Sequence, residues 1–270
     1  MYSKNLFSGK TVLVTGGRSG IGYEIASSFL HYGATVYIAS RKEKLLFDAA
    51  KRLSKQGNCH AFVCDIRKTD EIEALASEIK TKSGRLDILV NNAGGQFPAP
   101  AQIISEKGWA TVINNNLNGT FYMSQKMANT FFIPQNKGNI VNITANVLRG
   151  FPGMAHTGAA RSGVENLTKT LGQEWASYGI RVNAVAPGTI ATSGLENYPK
   201  IMQDYLHQSE QKSLMHRFGK AEDVANAVMF LASPMASFIS GISLPVDGLE
   251  HLSGDRMELY KSLMTLLDQK

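Results

Sequence analysis

Cysteine is scarce in this chain: Cys59 and Cys64 are the only two in 270 residues. They flank Ala61-Phe62-Val63 at a spacing that fits neither a zinc knuckle nor a CxxC redox pair, so disulfide scaffolds are excluded and no metal is expected. No apolar run approaches the roughly 20 residues that span a bilayer. Internal repeats and low-complexity tracts are absent, and proline and glycine are scattered along the chain. The start Met1-Tyr2-Ser3-Lys4-Asn5-Leu6-Phe7 lacks the apolar centre of a secretory signal, and the end Leu267-Asp268-Gln269-Lys270 is not a Ser-Lys-Leu type address. A cytoplasmic protein with no membrane association is expected. A clustered basic surface is missing too. The formal charge of +6 and pI near 9.2 come from residues spread through the chain, so no nucleic-acid partner is expected. A small acidic ligand carrying phosphates accounts for the same excess.

Glycine, by contrast, is concentrated where it has a purpose. Thr15-Gly16-Gly17-Arg18-Ser19-Gly20-Ile21-Gly22 follows the apolar run Thr11-Val12-Leu13-Val14 and opens a helix-like segment from Tyr23 to Leu30. Gly16 permits a tight turn, Gly20 a close approach of phosphate, and Gly22 close packing of helix on strand, while backbone N–H groups and the helix dipole face an anion. Ala34 to Ala39 then reads as a second strand, which completes a βαβ unit.

The alternation continues. Helices are expected over 42–56, 69–83, 108–129, 156–178 and 221–232, and strands over 60–64, 86–90, 139–143, 182–185 and 242–246. With 43% hydrophobic residues, the chain suits one domain over 1–270 with a doubly wound, Rossmann-type parallel α/β sheet. Ligands then bind at the carboxyl ends of the strands. These ends carry Ser40-Arg41-Lys42, Cys64-Asp65-Ile66, Asn91-Asn92-Ala93-Gly94-Gly95, Thr144-Ala145-Asn146 and Pro187-Gly188-Thr189-Ile190. A segment of about 191–214 interrupts the pattern and reads as a helical lid. A tail of about 250–270 has Met257, Tyr260, Leu263 and Leu266 at helical spacing, for a partner subunit or an acyl pocket.

The acidic residue that binds the adenosine ribose in NAD-specific units is also lacking. In its place stand Ser40, Arg41 and Lys42 with Arg18 in the glycine loop, a set that suits the 2′-phosphate of NADP(H). Lys42 equally suits the solvated start of a helix. Asp65 suits either the adenine amino group or a turn cap.

Thr15-Gly16 with Gly20-Ile21-Gly22, Asn91-Asn92-Ala93-Gly94, Asn116-Leu117 with Gly119, and Pro187-Gly188 together resemble the short-chain dehydrogenase/reductase family along nearly the whole chain. The family's usual site combines Asn, Ser, Tyr and Lys. Aligning Ser162-Gly163-Val164 puts Arg161 where Lys belongs and Thr157 where Tyr belongs, so the usual phenol acid is missing. Thr is far too weak an acid to replace it. Asn91 to Phe97, Gly108-Trp109, Thr120 to Met123 and His156 to Val164 resemble the enoyl-CoA reductase branch, and Arg161 tilts the comparison towards its peroxisomal 2-enoyl members rather than the 2,4-dienoyl ones.

That resemblance implies reduction of a carbon–carbon double bond conjugated to an acyl-CoA thioester, in which the enzyme stabilises an enolate and depends less on a Tyr/Lys pair. Gln96, Thr144 and Thr157 are the candidate donors to the thioester oxygen. Asn116 fits a helix kink with ordered water or a plain cap. Arg161 fits the nicotinamide ribose, and an i,i+4 ion pair with Glu165 is expected. His156 is the one neighbour that titrates near neutrality, for proton transfer or as a satisfied structural histidine. Tyr122 suits core packing. The Pro187-Gly188 turn would pass over the nicotinamide, with the Ile190 amide on its carboxamide and Thr192 at a phosphate. The family resemblance implies a homotetramer. A carbonyl reductase with a non-standard acid and a catalytically silent NADP-binding protein are the alternatives.

Overall fold

A computed structural model describes residues 3–192 and 214–253. Strand β1 (Thr11–Thr15) is buried along its whole length, as expected of a central parallel strand covered on both faces. It leads into α1 (Gly20–His31), β2 (Thr35–Ser40), α2 (Glu43–Leu53), β3 (Cys59–Val63), α3 (Thr69–Ser83) and β4 (Ile88–Asn91). A long helical run then comprises α4 (Glu106–Ile113), α5 (Gly119–Met127) and α6 (Ile133–Gln135), and is followed by β5 (Gly138–Ile143) and α7 (Ala155–Glu174). The remaining elements are β6 (Ile180–Pro187), β7 (Ile190–Ala191), β8 (Gly219–Lys220), α8 (Ala221–Ala232) and β9 (Ser243–Val246).

Seven strands form one parallel sheet in the order β3-β2-β1-β4-β5-β6-β9. The order reverses direction between β1 and β4, and a ligand crevice opens at such a point outside the carboxyl ends. Alternation along each strand divides the core in two. Val12 and Val14 of β1 face Ile25 and Phe29 of α1 and Val224 and Val228 of α8. Leu13, between them, faces the opposite layer with Leu75 of α3, Met123 of α5 and Leu171 of α7. The expected single α/β sheet is therefore what forms.

Several boundaries differ from expectation. The helix expected over 108–129 runs from Glu106 to Gln135, with two wide π-turns at Asn114–Asn118 and Ala128–Phe132. Strand β6 extends beyond 182–185 because it is paired on both sides, with β5 and β9. α7 ends at Glu174 and a 3₁₀ turn carries the chain to Gly179, whose φ of +67° suits glycine. Most of the expected lid and tail, residues 193–213 and 254–270, lies outside the described residues. The described flanks of the lid segment, β7 and β8, pair with each other.

A polar ladder ties the sheet to one helical layer. Asn91 Nδ2 donates to Ser124 Oγ and to Asn142 Oδ1, both at 2.9 Å, and Asn142 Nδ2 donates to Thr168 Oγ1 at 2.9 Å. Such a network fixes the positions of α5 and α7 over β4 and β5. At the opposite end of the sheet, Asp87 accepts from the Thr11 N–H at 3.0 Å, Arg85 Nε at 3.0 Å and Lys10 Nζ at 3.1 Å. Burial raises its pKa, but these bonds outweigh that and hold it below the ordinary carboxylate value. This stabilisation is present above the unfolded carboxyl pKa and is lost as pH falls through the lower folded value. Asp87→Asn should destabilise the protein by about 1.5–3 kcal/mol in urea unfolding at neutral pH, with the difference from the wild type shrinking in acid.

Candidate active site

The glycine loop, the end of β2, the end of β3 and the start of the loop after β4 enclose a groove of about 290 Å³. From the loop come Gly16, Arg18, Ser19, Gly20, Ile21 and Gly22; from β2 Ser40, Arg41 and Lys42; from β3 Cys64 and Ile66; and from β4 Asn92, Ala93 and Gly94. Thr192 closes one side. The fold thus gathers residues that the sequence reading assigned to the cofactor from four separate stretches. Asn115 also lines the groove and was not anticipated, since its place follows from the π-turn and not from helical spacing. Among the described residues no carboxylate lines the groove, while Arg18, Arg41 and Lys42 do.

Asp65 has the turn role instead of an open position in the groove. Both its oxygens accept from Arg67, from Nε at 2.9 and 3.1 Å, and Oδ1 also takes the Arg67 backbone N–H at 3.1 Å. The Arg67 hydrogen bond is the main cause of its lowered pKa.

The groove floor leaves no space for side chains. Gly16 has φ +69°, and a Cβ there would lie 2.7 Å from Asn92 Nδ2 and 3.0 Å from Ala93 Cα. A Cβ on Gly22 would overlap the same Asn92 amide and come within 2.6 Å of the Gly16 carbonyl oxygen. Asn92 donates to the Thr15 carbonyl at 2.9 Å, and Thr15 Oγ1 accepts the N–H groups of Asn92 and Ala93 at 3.0 and 2.9 Å. These bonds present the groove as a preformed cradle suited to a pyrophosphate.

Beyond it lie the residues in the positions of the family's catalytic set. Asn116 sits in the first π-turn, where Nδ2 takes the Val112 carbonyl at 2.9 Å and the Gly95 carbonyl at 2.7 Å, and Oδ1 accepts from the Gly95 N–H at 3.2 Å. Its amide therefore both stabilises the kink and staples the loop after β4. Gln96 follows that staple on the exposed side. The next residue, Phe97, packs edge-on against His156 with ring centres 4.5 Å apart.

Both threonines expected to face a substrate oxygen turn inward. Thr144 Oγ1 donates to the Val185 carbonyl at 3.1 Å, and Thr157 Oγ1 pairs with His156 Nδ1 at 3.3 Å. Each is almost completely buried, and a buried hydroxyl takes the nearest available partner. His156 is likewise sealed: its Nδ1 takes the Thr157 N–H at 2.8 Å and its Nε2 has no partner. Desolvation lowers its pKa, partly offset by a hydrogen bond with the Met154 backbone. The neutral, structural alternative describes it better than the proton-transfer one.

Arg161 is the unusual group. It is 8% exposed, and Nη1 donates to the Ile143 carbonyl at 2.8 Å while Nε has no partner. The expected pair with Glu165 does not form, because Glu165 accepts instead from Ser243 Oγ at 2.9 Å. Burial pushes the guanidinium down to about 10, which leaves it charged at neutral pH. Its Nη2 lies where a Cβ on Gly94 would be, as does Asn116 Oδ1, 2.7 Å from that position. A buried cation without a counter-charge among the described residues is therefore held beside Gly94, at one end of the groove.

Pro187 ends β6 with its carbonyl accepting the Asn146 N–H at 3.1 Å, and the Gly188 N–H donates to Val246 at 3.1 Å. A Cβ on Gly188 would come within 2.8 Å of Asp247 Cα. Ile190 is buried in β7, and Thr192 is the side chain nearest to Gly20, with Cγ2 3.6 Å from that residue's Cβ position. A cluster of Asn146, Asp247, Glu250 and His251 beside this turn escaped the sequence reading, although Asp247 directly follows a strand's carboxyl end. A larger cavity of about 650 Å³ opens at the amino ends of the strands, against Lys10, Asp87 and Arg181, away from all of these residues. Among the described residues no His, Cys, Asp or Glu group could hold a metal, and no helix is long and apolar enough to cross a membrane.

A parallel doubly wound sheet with a glycine cradle at its switch point, and with Asn116 in the π-turn, Thr144 after β5 and Arg161 in α7 beyond it, defines a nicotinamide-dependent oxidoreductase of the short-chain type. The chain belongs to the short-chain dehydrogenase/reductase family: residues 16–248 match the family model described as enoyl-(acyl carrier protein) reductase. It is 37% identical to the peroxisomal 2,4-dienoyl-CoA reductase of Rattus norvegicus over 99% of this chain and 91% of that one. It is 36% identical to the 3-oxoacyl-(acyl-carrier-protein) reductase of Thermotoga maritima, covering 89% of this chain and 97% of that one. A short-chain dehydrogenase from Bacillus anthracis superposes with a TM-score of 0.86 at 38% identity, covering 92% of this chain and 99% of that one. The rat relative bears the dienoyl name, whereas Arg161 alone pointed to the 2-enoyl members.

An uncompensated buried charge opposes folding. Arg161→Met should leave unfolding free energy unchanged or raise it by about 1–4 kcal/mol, while turnover is lost. Thermal unfolding alongside activity separates this result from simple misfolding.

Proposed function

We propose that this chain uses NADPH to reduce a carbon–carbon double bond in an unsaturated acyl-CoA thioester, 2,4-dienoyl or 2-enoyl. The observation that carries the reading is Arg161: a buried guanidinium with no carboxylate partner among the described residues occupies the place of the usual lysine. Such a charge favours electron density gathering on a nearby thioester oxygen. It also supplies donors for the nicotinamide ribose hydroxyls.

NADPH over NADH is supported by Arg18, Ser40, Arg41 and Lys42 around one end of a groove that no acidic side chain among the described residues lines. The glycine positions fit a dinucleotide, because Gly16 and Gly22 let the turn after β1 pack directly on Asn92 and Ala93, where any side chain would collide. When bound, the dihydronicotinamide supplies the hydride. The chain's own residues do the rest. Gly16, Gly20 and Gly22 admit the phosphates, Asn92 and Thr15 keep the floor in place, and Pro187, Gly188, Ile190 and Thr192 face the nicotinamide end. Gln96, on the exposed side of the loop stapled by Asn116, is the side-chain donor assigned to the thioester oxygen. Thr144 and Thr157, whose side chains are buried, take supporting roles.

A carbonyl reductase is the second reading, favoured by the name of the Thermotoga maritima relative. Thr157 in place of a phenol weighs against it. A cytoplasmic address and a homotetramer complete the proposal, resting on the free thiols Cys59 and Cys64 and on family resemblance.

NADPH oxidation should proceed with crotonyl-CoA, trans-2-decenoyl-CoA or a 2,4-decadienoyl-CoA, and not with acetoacetyl-CoA. Turnover confined to the ketone would overturn the reading. Arg41→Ala should weaken NADPH binding by about 10- to 100-fold, as expected on losing one charge-assisted hydrogen bond, with NADH binding nearly unchanged. Titration calorimetry with both cofactors checks this.

A further inference from the structure

The missing phenol leaves the proton unassigned, and the residues around Arg161 do not supply one. His156 is sealed and neutral, and the Thr144 and Thr157 hydroxyls point inward. A second imidazole stands at the same end of the sheet. Asp247 follows β9 directly, and its side chain is 3% exposed. Its Oδ1 accepts the Leu249 N–H at 3.1 Å, and its Oδ2 accepts Asn146 Nδ2 at 3.1 Å and the His251 N–H at 2.8 Å. The same Oδ2 holds His251 Nδ1 at 2.8 Å.

This geometry has a specific consequence. With Nδ1–H directed to a buried carboxylate, the ring is held in one orientation and Nε2 is the nitrogen left to exchange protons. The His251 side chain is 20% exposed, whereas His156 Nε2 is buried with no partner. The dyad spans the carboxyl ends of three strands. Asn146 comes from just after β5, three residues beyond the Ile143 carbonyl that binds Arg161. Gly188 follows β6, and a Cβ there would touch Asp247 Cβ at 2.7 Å. Thr189 donates its N–H to Glu250 at 2.9 Å, next to His251 in sequence. The neighbouring loop contributes Met215, packed on the Gly248 position. Among the described residues the charged groups of this surround are Asp247 and Glu250, since Asn146, Thr189 and Met215 are neutral.

No other described histidine shares this arrangement. His31 ends α1 and His60 lies on the edge strand β3. His216 sits on an exposed turn with no carboxylate partner among the described residues.

We propose that His251, positioned by Asp247, is the proton donor of this site, an inference that rests on the reading of the site as one that reduces an unsaturated thioester. Hydride from the nicotinamide forms a C–H bond at the far carbon of the double bond, and the displaced electron pair moves to the thioester oxygen as an enolate near Arg161. The imidazolium Nε2–H bond then breaks. Its proton goes to the enolate carbon, directly or through one water, the enolate collapses to the thioester, and the neutral ring regains a proton from solvent. One hydride and one proton are consumed for each double bond reduced.

The test combines kinetics with a reading that needs no turnover. His251→Gln should lower kcat by about 100-fold or more and leave KM and NADPH affinity within about twofold. Asp247→Asn should lower kcat as well, and His31→Gln, on the exposed end of α1, should change nothing. In parallel, the His251 imidazole resonances, assigned with His251→Gln, are followed by NMR in the dead-end complex of wild-type protein with NADP+ and trans-2-decenoyl-CoA. A shift on forming that complex supports the placement. If His251→Gln keeps wild-type kcat, or if the resonances do not respond to the bound thioester, the proposal is overturned. A protein that turns over no unsaturated thioester but still shows the shift refutes the reaction assigned above while keeping His251 at the ligand site.

Discussion

Where β1 and β4 part at the centre of the sheet, one hydroxyl holds two backbones together. Thr15 Oγ1 accepts the N–H groups of Asn92 and Ala93, and the Asn92 side chain returns a bond to the Thr15 carbonyl. This link brings the turn after β1 so close to the turn after β4 that side chains are excluded at Gly16 and Gly22. The cradle, the start of α1 and the path of the loop towards Gly94 all follow from it. A looser junction would admit ordinary residues, and with them the space for phosphate would be lost.

The same loop continues to the second constraint. Asn116 holds both polar groups of Gly95, and does so only because a π-turn sets its amide inward and frees the Val112 carbonyl for it. Against this rigid loop lies Arg161, whose charge no side chain among the described residues balances. Strained turns and uncompensated charges oppose stability, and folds retain them where a ligand benefits. Preorganisation of this kind is what electrostatic stabilisation requires, since the dipoles and charge are in place before any reacting group arrives.

Much of this was legible in the residues. The run from Thr11 to Gly22 announces strand, turn and helix, because alternation of apolar residues and the conformational needs of glycine are local properties. Arg18, Arg41 and Lys42 were likewise readable, since residues just past parallel strands converge on one edge. The expectation of an Arg161–Glu165 pair failed for a physical reason. Spacing of four puts two side chains on one helix face, but α7 packs its Glu165 against Ser243 at the start of β9, and that partner is 78 positions away in sequence. The hydroxyl of Thr144 points inward for a similar reason: its acceptor, the Val185 carbonyl, belongs to the neighbouring strand β6, 41 positions away, whereas Thr157 pairs with the adjacent His156.

The sequence by itself determined the sheet, its two-layered core and the cofactor edge, because these depend on periodicity, glycine and the charge of residues at strand ends. Tertiary structure alone decided which titratable groups remain usable. It sealed His156 behind Phe97, left Arg161 without a counter-charge, and brought Asp247 to Asn146 across 101 positions to hold His251. Burial and hydrogen bonding over such distances arise from packing between elements, and no local pattern in the chain encodes them.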